Sequence, residues 1–443
     1  MDTPVWDFLQ AYQSKGTTRF HMPGHKGMPF LGCEQFDLTE ISGADNLYEP
    51  DGIIARSEAN AAALFGAKQT LYATEGSTQC IKGMLTLAIT NRKPGTEAVI
   101  VAARTVHKAF GHAAACLDFK TVWLMPEKDN TSLCSCPISA EAVACALDSL
   151  PQTPAAVYLT SPDYLGGQAD IKAIAQVCHE RDVLLLVDNA HGAYLKFLTP
   201  SQHPLDLGAD MCCDSAHKTL PVLTGGAYLH LRDLPQCYTQ QARSAMAIFG
   251  STSPSYLTLA SLDLCNRYLS DSYSNKLKII CEQILQAKKA LTNSGWRILE
   301  SDPLRLTIAA PAGQTGMKLA ELLRQHNMEC EYADPDYLVL MLTPENTPDQ
   351  LKQLVDLLGI NTRPYEKRRN LVFPAPQQTL SIRKALFSPH ETVDIEQSLG
   401  RICGAPTVAC PPAVPIVLSG ERITEDAITL FRYYGFKKID VIL

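Results

Sequence analysis

The sequence predicts an α/β protein: a large domain on a mostly parallel sheet, a small α+β domain and a C-terminal segment. Three observations predict it. Apolar runs without alternation recur at AVIVAA (98–103), AAVYLT (155–160) and VLLLVD (183–188), and strands of that kind are covered on both faces. Helical periodicity separates them, as in Ile81, Met84, Leu85 and Ala88 at spacing i, i+3, i+4, i+7. The 443 residues exceed one compact core and call for two or three domains.

Taken in order, a short helix is expected near 4–14, then the Gly-, Pro- and His-rich loop RFHMPGHKGMPF (19–30). A helix over 57–65 precedes a Gly-containing turn at 74–79 and a helix that ends at Lys93-Pro94-Gly95. Strand 98–103 follows. Strand 155–160 leads to a helix capped by Asp170, with Ile171, Ile174, Ala175 and Cys178 on its buried face. Strands 183–188, 210–214 and 226–231 come next, all expected in the parallel sheet. A helix over 275–291 leads to a strand–helix–strand–strand–helix order within 304–360. The Pro-rich stretch 371–376 reads as a linker, and a helix is expected over 423–433. The expected divisions are an arm (1–51), a large domain (52–270), a small domain (271–370) and a C-terminal domain (371–443).

Composition narrows the function. A net charge of −7 argues against nucleic acid as a partner. No run approaches the roughly 18 apolar residues of a membrane span. The Met1-Asp2-Thr3-Pro4 start carries no basic region with an apolar core, so no secretory leader is expected. Fifteen cysteines, without CxxC or zinc-type spacing, read as thiols in a reducing cytoplasm, with no metal site.

Asp188 and Lys218 carry the chemistry. Asp188 closes the most hydrophobic strand, and Lys218 follows the next strand within DSAHKT (214–219). Functional groups in open parallel sheets gather beyond the carboxyl ends of strands. A pyridine-based electron sink needs an amine for its aldehyde and a carboxylate to keep its ring nitrogen protonated. TEGSTQ (74–79), at a helix start, offers backbone N–H groups and the Ser77 and Thr78 hydroxyls to a phosphate, or else a simple cap. Ser215 can add a hydroxyl. His107 can stack on a planar ring or act as a structural hydrogen-bonding residue. His191 can brace Asp188 or the ring, and His217 can donate to the phosphate or carry a proton.

At these residues the chain becomes recognisable. DSAHKTLPVLTGGAYLH (214–230) resembles the pyridoxal-phosphate attachment block of the ornithine/lysine/arginine decarboxylases, which share the aspartate-aminotransferase-like fold. RFHMPGHKG (19–27), LTEISGADNLYEPDG (38–52), TEGSTQ, DNAHG (188–192), TSPSYLTLASLD (252–263) and LGRICGAPTVACPPAVPIVLSGERIT (399–424) resemble further blocks, in order. The resemblance implies a pyridoxal 5'-phosphate enzyme that decarboxylates arginine, lysine or ornithine to a polyamine precursor. It implies Lys218 as the Schiff-base lysine, Asp188 on the pyridinium, and Gly76, Ser77, Thr78, Ser215 and His217 around the phosphate, with His107 on the ring. It implies that Thr252 and Ser253 reach a second subunit's cofactor, hence a homodimer. The chain departs from the family pattern at CPPAVP (410–415) and Ser419-Gly420-Glu421. With HMPGHKG beginning at residue 21, a short form without the N-terminal wing domain is expected.

A basic substrate needs a carboxylate partner, and Glu331, Asp334 and Asp45 are the candidates. Two alternatives remain at this stage. One is an aminotransferase or carbon–carbon lyase on the same scaffold, with Arg305 as a carboxylate-binding residue. The other is a silent pyridoxal-phosphate binder that regulates a true decarboxylase.

Overall fold

The computed structural model describes residues 1–126, 132–359, 373–406 and 414–443. Residues 371–372 of the expected linker and 410–413 of CPPAVP lie outside them. The first elements are α1 (Pro4–Ser14), α2 (Ile53–Phe65), β1 (Gln69–Ala73), α3 (Gly76–Thr90), β2 (Val99–Ala103), α4 (Lys108–Leu117), β3 (Lys120–Leu124) and α5 (Ala140–Asp148). Then come β4 (Ala156–Thr160), α6 (Ile171–His179), β5 (Leu184–Asp188), β6 (Met211–Asp214), α7 (Ala216–Thr219), β7 (Ala227–Leu231), α8 (Gln236–Ala247), α9 (Tyr256–Asp271) and α10 (Tyr273–Asn293). The last are β8 (Arg305–Ala309), α11 (Gly316–Gln325), β9 (Tyr332–Ala333), β10 (Tyr337–Met341), α12 (Pro348–Gly359), α13 (Ile382–Leu386), β11 (His390–Asp394), α14 (Glu425–Tyr433) and β12 (Lys438–Ile442).

The chain forms two compact units, one of Met1–Arg92 with Leu184–Asn275 and one of Lys93–Val183 with Lys276–Leu443. The first unit carries the strand order β1-β7-β6-β5, the second the order β4-β2-β3.

In the first unit, β5 and β6 are parallel, as expected, but β7 runs antiparallel to both β6 and β1. The cause is the connection after Asp214. Between Asp214 and Ala227 it holds only the four-residue α7, whereas a parallel return usually runs through a full crossover helix. The reversal leaves β1, β5 and β6 pointing the same way, so their carboxyl ends share one edge. Helix α3 packs across this sheet, with Ile81, Met84, Leu85 and Ala88 fully buried. Helix α2 begins four residues earlier than its apolar pattern suggests. The Asp45 carboxylate accepts from the N–H groups of Gly52 (3.0 Å) and Ile54 (2.8 Å), capping the helix from upstream.

In the second unit, β2 lies parallel between β3 and β4. Asp170 caps α6 by accepting from Ala173 N–H at 3.0 Å, and the buried face is Ile171, Ile174, Ala175 and Cys178, as the sequence predicts. Residues 304–359 form the antiparallel sheet β8-β10-β9 with α11 and α12. The C-terminal segment closes a core of its own around Ile416, Val417, Phe431, Phe436 and Val441.

That segment is tied down by an ion pair. Arg104, 3% exposed, reaches Glu421, 2% exposed, at 2.8 Å, and also donates to the Ile416 carbonyl at 3.1 Å. Glu421 accepts a second bond from Leu418 N–H at 2.8 Å. Removing one member of such a pair strands a buried charge and costs about 3–5 kcal/mol. We therefore expect Glu421→Ala to lower the urea midpoint sharply, by loss of roughly that stability. An unchanged midpoint would show that the pair carries no net stability.

Candidate active site

The shared edge of β1, β5 and β6 gathers the predicted residues of the first unit. Asp188 ends β5 and is 2% exposed. Its Oδ1 accepts from Ala190 N–H at 3.2 Å and from the Cys213 thiol at 3.6 Å. Lys218 sits in α7, within the tight return from β6 to β7, and its Nζ lies 3.0 Å from His191 Nε2. An ammonium only donates, so this contact calls for a neutral His191 with its proton on Nδ1. His191 is itself buried.

The end of β1 meets the same return. Gly76 N–H donates to the Gly225 carbonyl at 2.7 Å. A Cβ on Gly225 would stand 2.5 Å from the Thr74 carbonyl oxygen, at φ +96°, so this close approach needs glycine. Helix α3 then starts at Gly76, and its N-cap Glu75 places no side-chain bond on the first turn. A Cβ on Gly76 would meet nothing within 4 Å. Ser215 Oγ donates to Ser77 Oγ at 2.7 Å, bringing the hydroxyls of β6 and α3 together. Thr78 follows in the first turn, half-buried. His217 is anchored, its Nδ1 3.0 Å from the Gly226 carbonyl.

This donor set suits pyridoxal 5'-phosphate. An open helix start with two serine hydroxyls matches a phosphate. A buried carboxylate matches a protonated pyridine nitrogen, and an amine at the same edge matches an aldehyde.

The other candidates are placed as follows. His107 is the N-cap of α4 in the second unit, its Nδ1 accepting from Ala109 N–H at 3.2 Å. Thr252 and Ser253 are exposed just ahead of α9. Asp45 is held by backbone donors. Burial works to raise its carboxyl, but the N–H groups of Asn46, Asp51, Ile54 and Gly52 prevail and lower it. Asp334 is fully buried. It accepts from Tyr332 Oη at 2.9 Å and from the N–H groups of Asp336 and Tyr337 at 2.7 and 2.6 Å. Burial, then the Asp336 charge, push its carboxyl up to about 6. Glu331 is exposed beside β9.

Sequence reasoning missed Asn189, His203, Asp214 and His230. Asp214 accepts from Asn189 Nδ2 at 2.7 Å, and its Oδ2 stands 3.0 Å from His203 Nε2 and 3.3 Å from His230 Nε2. Two carried a signal as polar residues in apolar strands, Asp214 at the end of β6 and His230 inside β7.

Comparison with known proteins identifies the family. The family described as "Orn/Lys/Arg decarboxylase, major domain" matches residues 3–309, and its "C-terminal domain" matches residues 365–439. An arginine decarboxylase of Halalkalibacterium halodurans is 30% identical, across 97% of this chain and 93% of its own length. An arginine decarboxylase of Bacillus subtilis is 29% identical, across 99% and 94%. The crystal structure of the Francisella novicida lysine decarboxylase shares the fold, with a TM-score of 0.82 at 16% identity, over 100% of this chain and 81% of that one. The chain belongs to the Orn/Lys/Arg decarboxylase family and is a decarboxylase.

Proposed function

We propose that the chain decarboxylates a basic amino acid, arginine first, to CO2 and a polyamine precursor, using pyridoxal 5'-phosphate held by Lys218 and Asp188. The observation that carries the reading is the Lys218–His191 contact at 3.0 Å, on the sheet edge that also presents Asp188 and the open start of α3. The two arginine decarboxylases, alike over nearly the whole chain, support arginine.

The bound cofactor supplies the electron sink for the bonding pair left when CO2 departs. The residues do the rest. Asp188, buried at the strand end, would keep the ring nitrogen protonated. The start of α3, with Gly76, Ser77, Thr78 and Ser215, would hold the phosphate. By the family resemblance His107 would face the ring and His217 the phosphate. Lys218 Nζ, or an imidazole, returns a proton to the α-carbon, and His191 Nε2 is placed to exchange one with Lys218. The aminotransferase alternative loses support because Arg305 is engaged elsewhere. It is buried, pairs with Asp302 at 3.1 Å and donates to the Asp163 carbonyl. The silent-binder alternative loses support because the Lys218, Asp188 and His191 set is complete.

A homodimer is part of the reading. Phe20 (93% exposed), Leu31 (90%) and Phe30 (80%) stand out on the arm, with Met22 and Met28 beside them. So many exposed apolar side chains in one segment mark a surface for another chain. Thr252 and Ser253 are the residues we assign to the second subunit's cofactor. We place the enzyme in the cytoplasm, in keeping with fifteen cysteines that show neither CxxC nor zinc-type spacing. No described helix is long and apolar enough to cross a membrane.

CO2 release from a panel of amino acids tests the function. Arginine, lysine or ornithine should be turned over well above neutral and acidic ones, and a preference for a neutral substrate would overturn the reading. The substrate cation needs a carboxylate. Asp45 and Asp334 already serve backbone N–H groups, whereas no described hydrogen bond or ion pair engages the Glu331 side chain. Glu331→Gln should raise KM about ten- to a hundredfold, the effect of losing one charge-assisted bond of about 1.5–3 kcal/mol. An unchanged KM would return the role to Asp45 or Asp334.

A further inference from the structure

Resting on the reading above, we propose that Asp214 is a positioning residue: with His203 and His230 it clamps Asn189, and through it the turn that presents Asp188 and His191.

Asp214, His203, His230 and Asn189 are all fully buried. Both imidazoles address one carboxylate oxygen, Oδ2, at 3.0 and 3.3 Å, while Oδ1 accepts from Asn189 Nδ2 at 2.7 Å. His230 is fixed from behind by Thr70, whose Oγ1 lies 2.8 Å from Nδ1. Burial works against the Asp214 charge, but the two imidazoles hold its carboxyl far below the usual range. It is therefore a standing anion that only accepts.

That decides how Asn189 sits, because only its NH2 can face Asp214. The turn is then built around this side chain. Asn189 N–H donates to the Cys213 carbonyl at 2.9 Å, and its own carbonyl accepts from Gly192 N–H at 2.8 Å. A Cβ on Gly192 would stand 2.0 Å from Asn189 Oδ1, so the turn wraps the amide with no room to spare. Asp188 precedes Asn189, and His191, which meets Lys218, follows two residues later.

Asp214→Asn tests the clamp, because it keeps the shape but leaves one acceptor oxygen where Asn189 and His203 now each bond a carboxylate oxygen and His230 stands 3.3 Å away. At least one donor is left facing an NH2 group. In the cofactor-free protein, hydrogen exchange of the peptide spanning 188–192 should speed up about tenfold, with peptides from α2 and α9 unchanged. In the reconstituted enzyme, kcat should fall about tenfold with KM within about twofold. The pH midpoint of its visible absorbance should move by about one unit. Asn189→Ala, which leaves Asp214 intact, should reproduce all three effects and serves if Asp214→Asn does not fold.

Wild-type exchange, absorbance titration and kinetics in a folded Asn189→Ala or Asp214→Asn protein would overturn the proposal. So would stoichiometric zinc in the purified protein that is lost in His203→Ala, since the imidazoles would then be ligands and not donors to Asp214. Absence of visible absorbance in the reconstituted wild type would instead overturn the cofactor reading. The exchange experiment on the cofactor-free protein stands apart from that result.

Discussion

Lys218→Ala is expected to lose turnover by on the order of a thousandfold or more, because it removes the amine on which the proposed chemistry begins and ends. Lys218 lies in a four-residue helix between two antiparallel strands, with its Nζ directed to His191 at 3.0 Å. Lys196, which follows the Asp188 turn in the sequence, is committed to Asp206 at 2.7 Å. The variant should fold normally, since the N–H bond of residue 218 to the Ser215 carbonyl is retained in alanine. CO2 release per reconstituted protein is the measurement. Retention of more than about a tenth of wild-type turnover would show that Lys218 is not the reacting amine.

The second large effect is expected from Asp188→Asn. The amide fits the same space, and its oxygen can still accept from Ala190 N–H, now at 3.2 Å from Oδ1. What it lacks is charge. A neutral partner no longer holds a pyridine nitrogen protonated in a buried site, so turnover should fall about a hundredfold or more while cofactor uptake persists. Parallel measurement of cofactor content and turnover separates the two. Normal turnover with full cofactor content would make Asp188 a purely structural residue.

Much of this site was legible in the sequence because strand-end chemistry is local. VLLLVD announces both a buried strand and the acid that ends it, and DSAHK places Lys218 directly after the next strand. The helix start at TEGSTQ was legible for the same reason. What escaped depends on distant residues. AYLHL reads as a buried strand in either direction, and the lack of a full crossover helix between Asp214 and Ala227 goes with the reversal of β7. The early start of α2 depends on Asp45, seven residues before Gly52, which no helical period reports. His203 and His230 stand apart from Asp188 in sequence context, and only folding brings both to Asp214. The cap of α6 by Asp170, by contrast, spans three residues and was read correctly.

The central claim is that Lys218 is the residue on which pyridoxal 5'-phosphate is carried. It is tested most directly by reducing the reconstituted protein with borohydride, digesting it and locating the pyridoxyl group by mass spectrometry. The account predicts one label per chain, on the peptide that contains Ser215, His217 and Lys218. A label on any other lysine, or none on a folded and reconstituted protein, would contradict it.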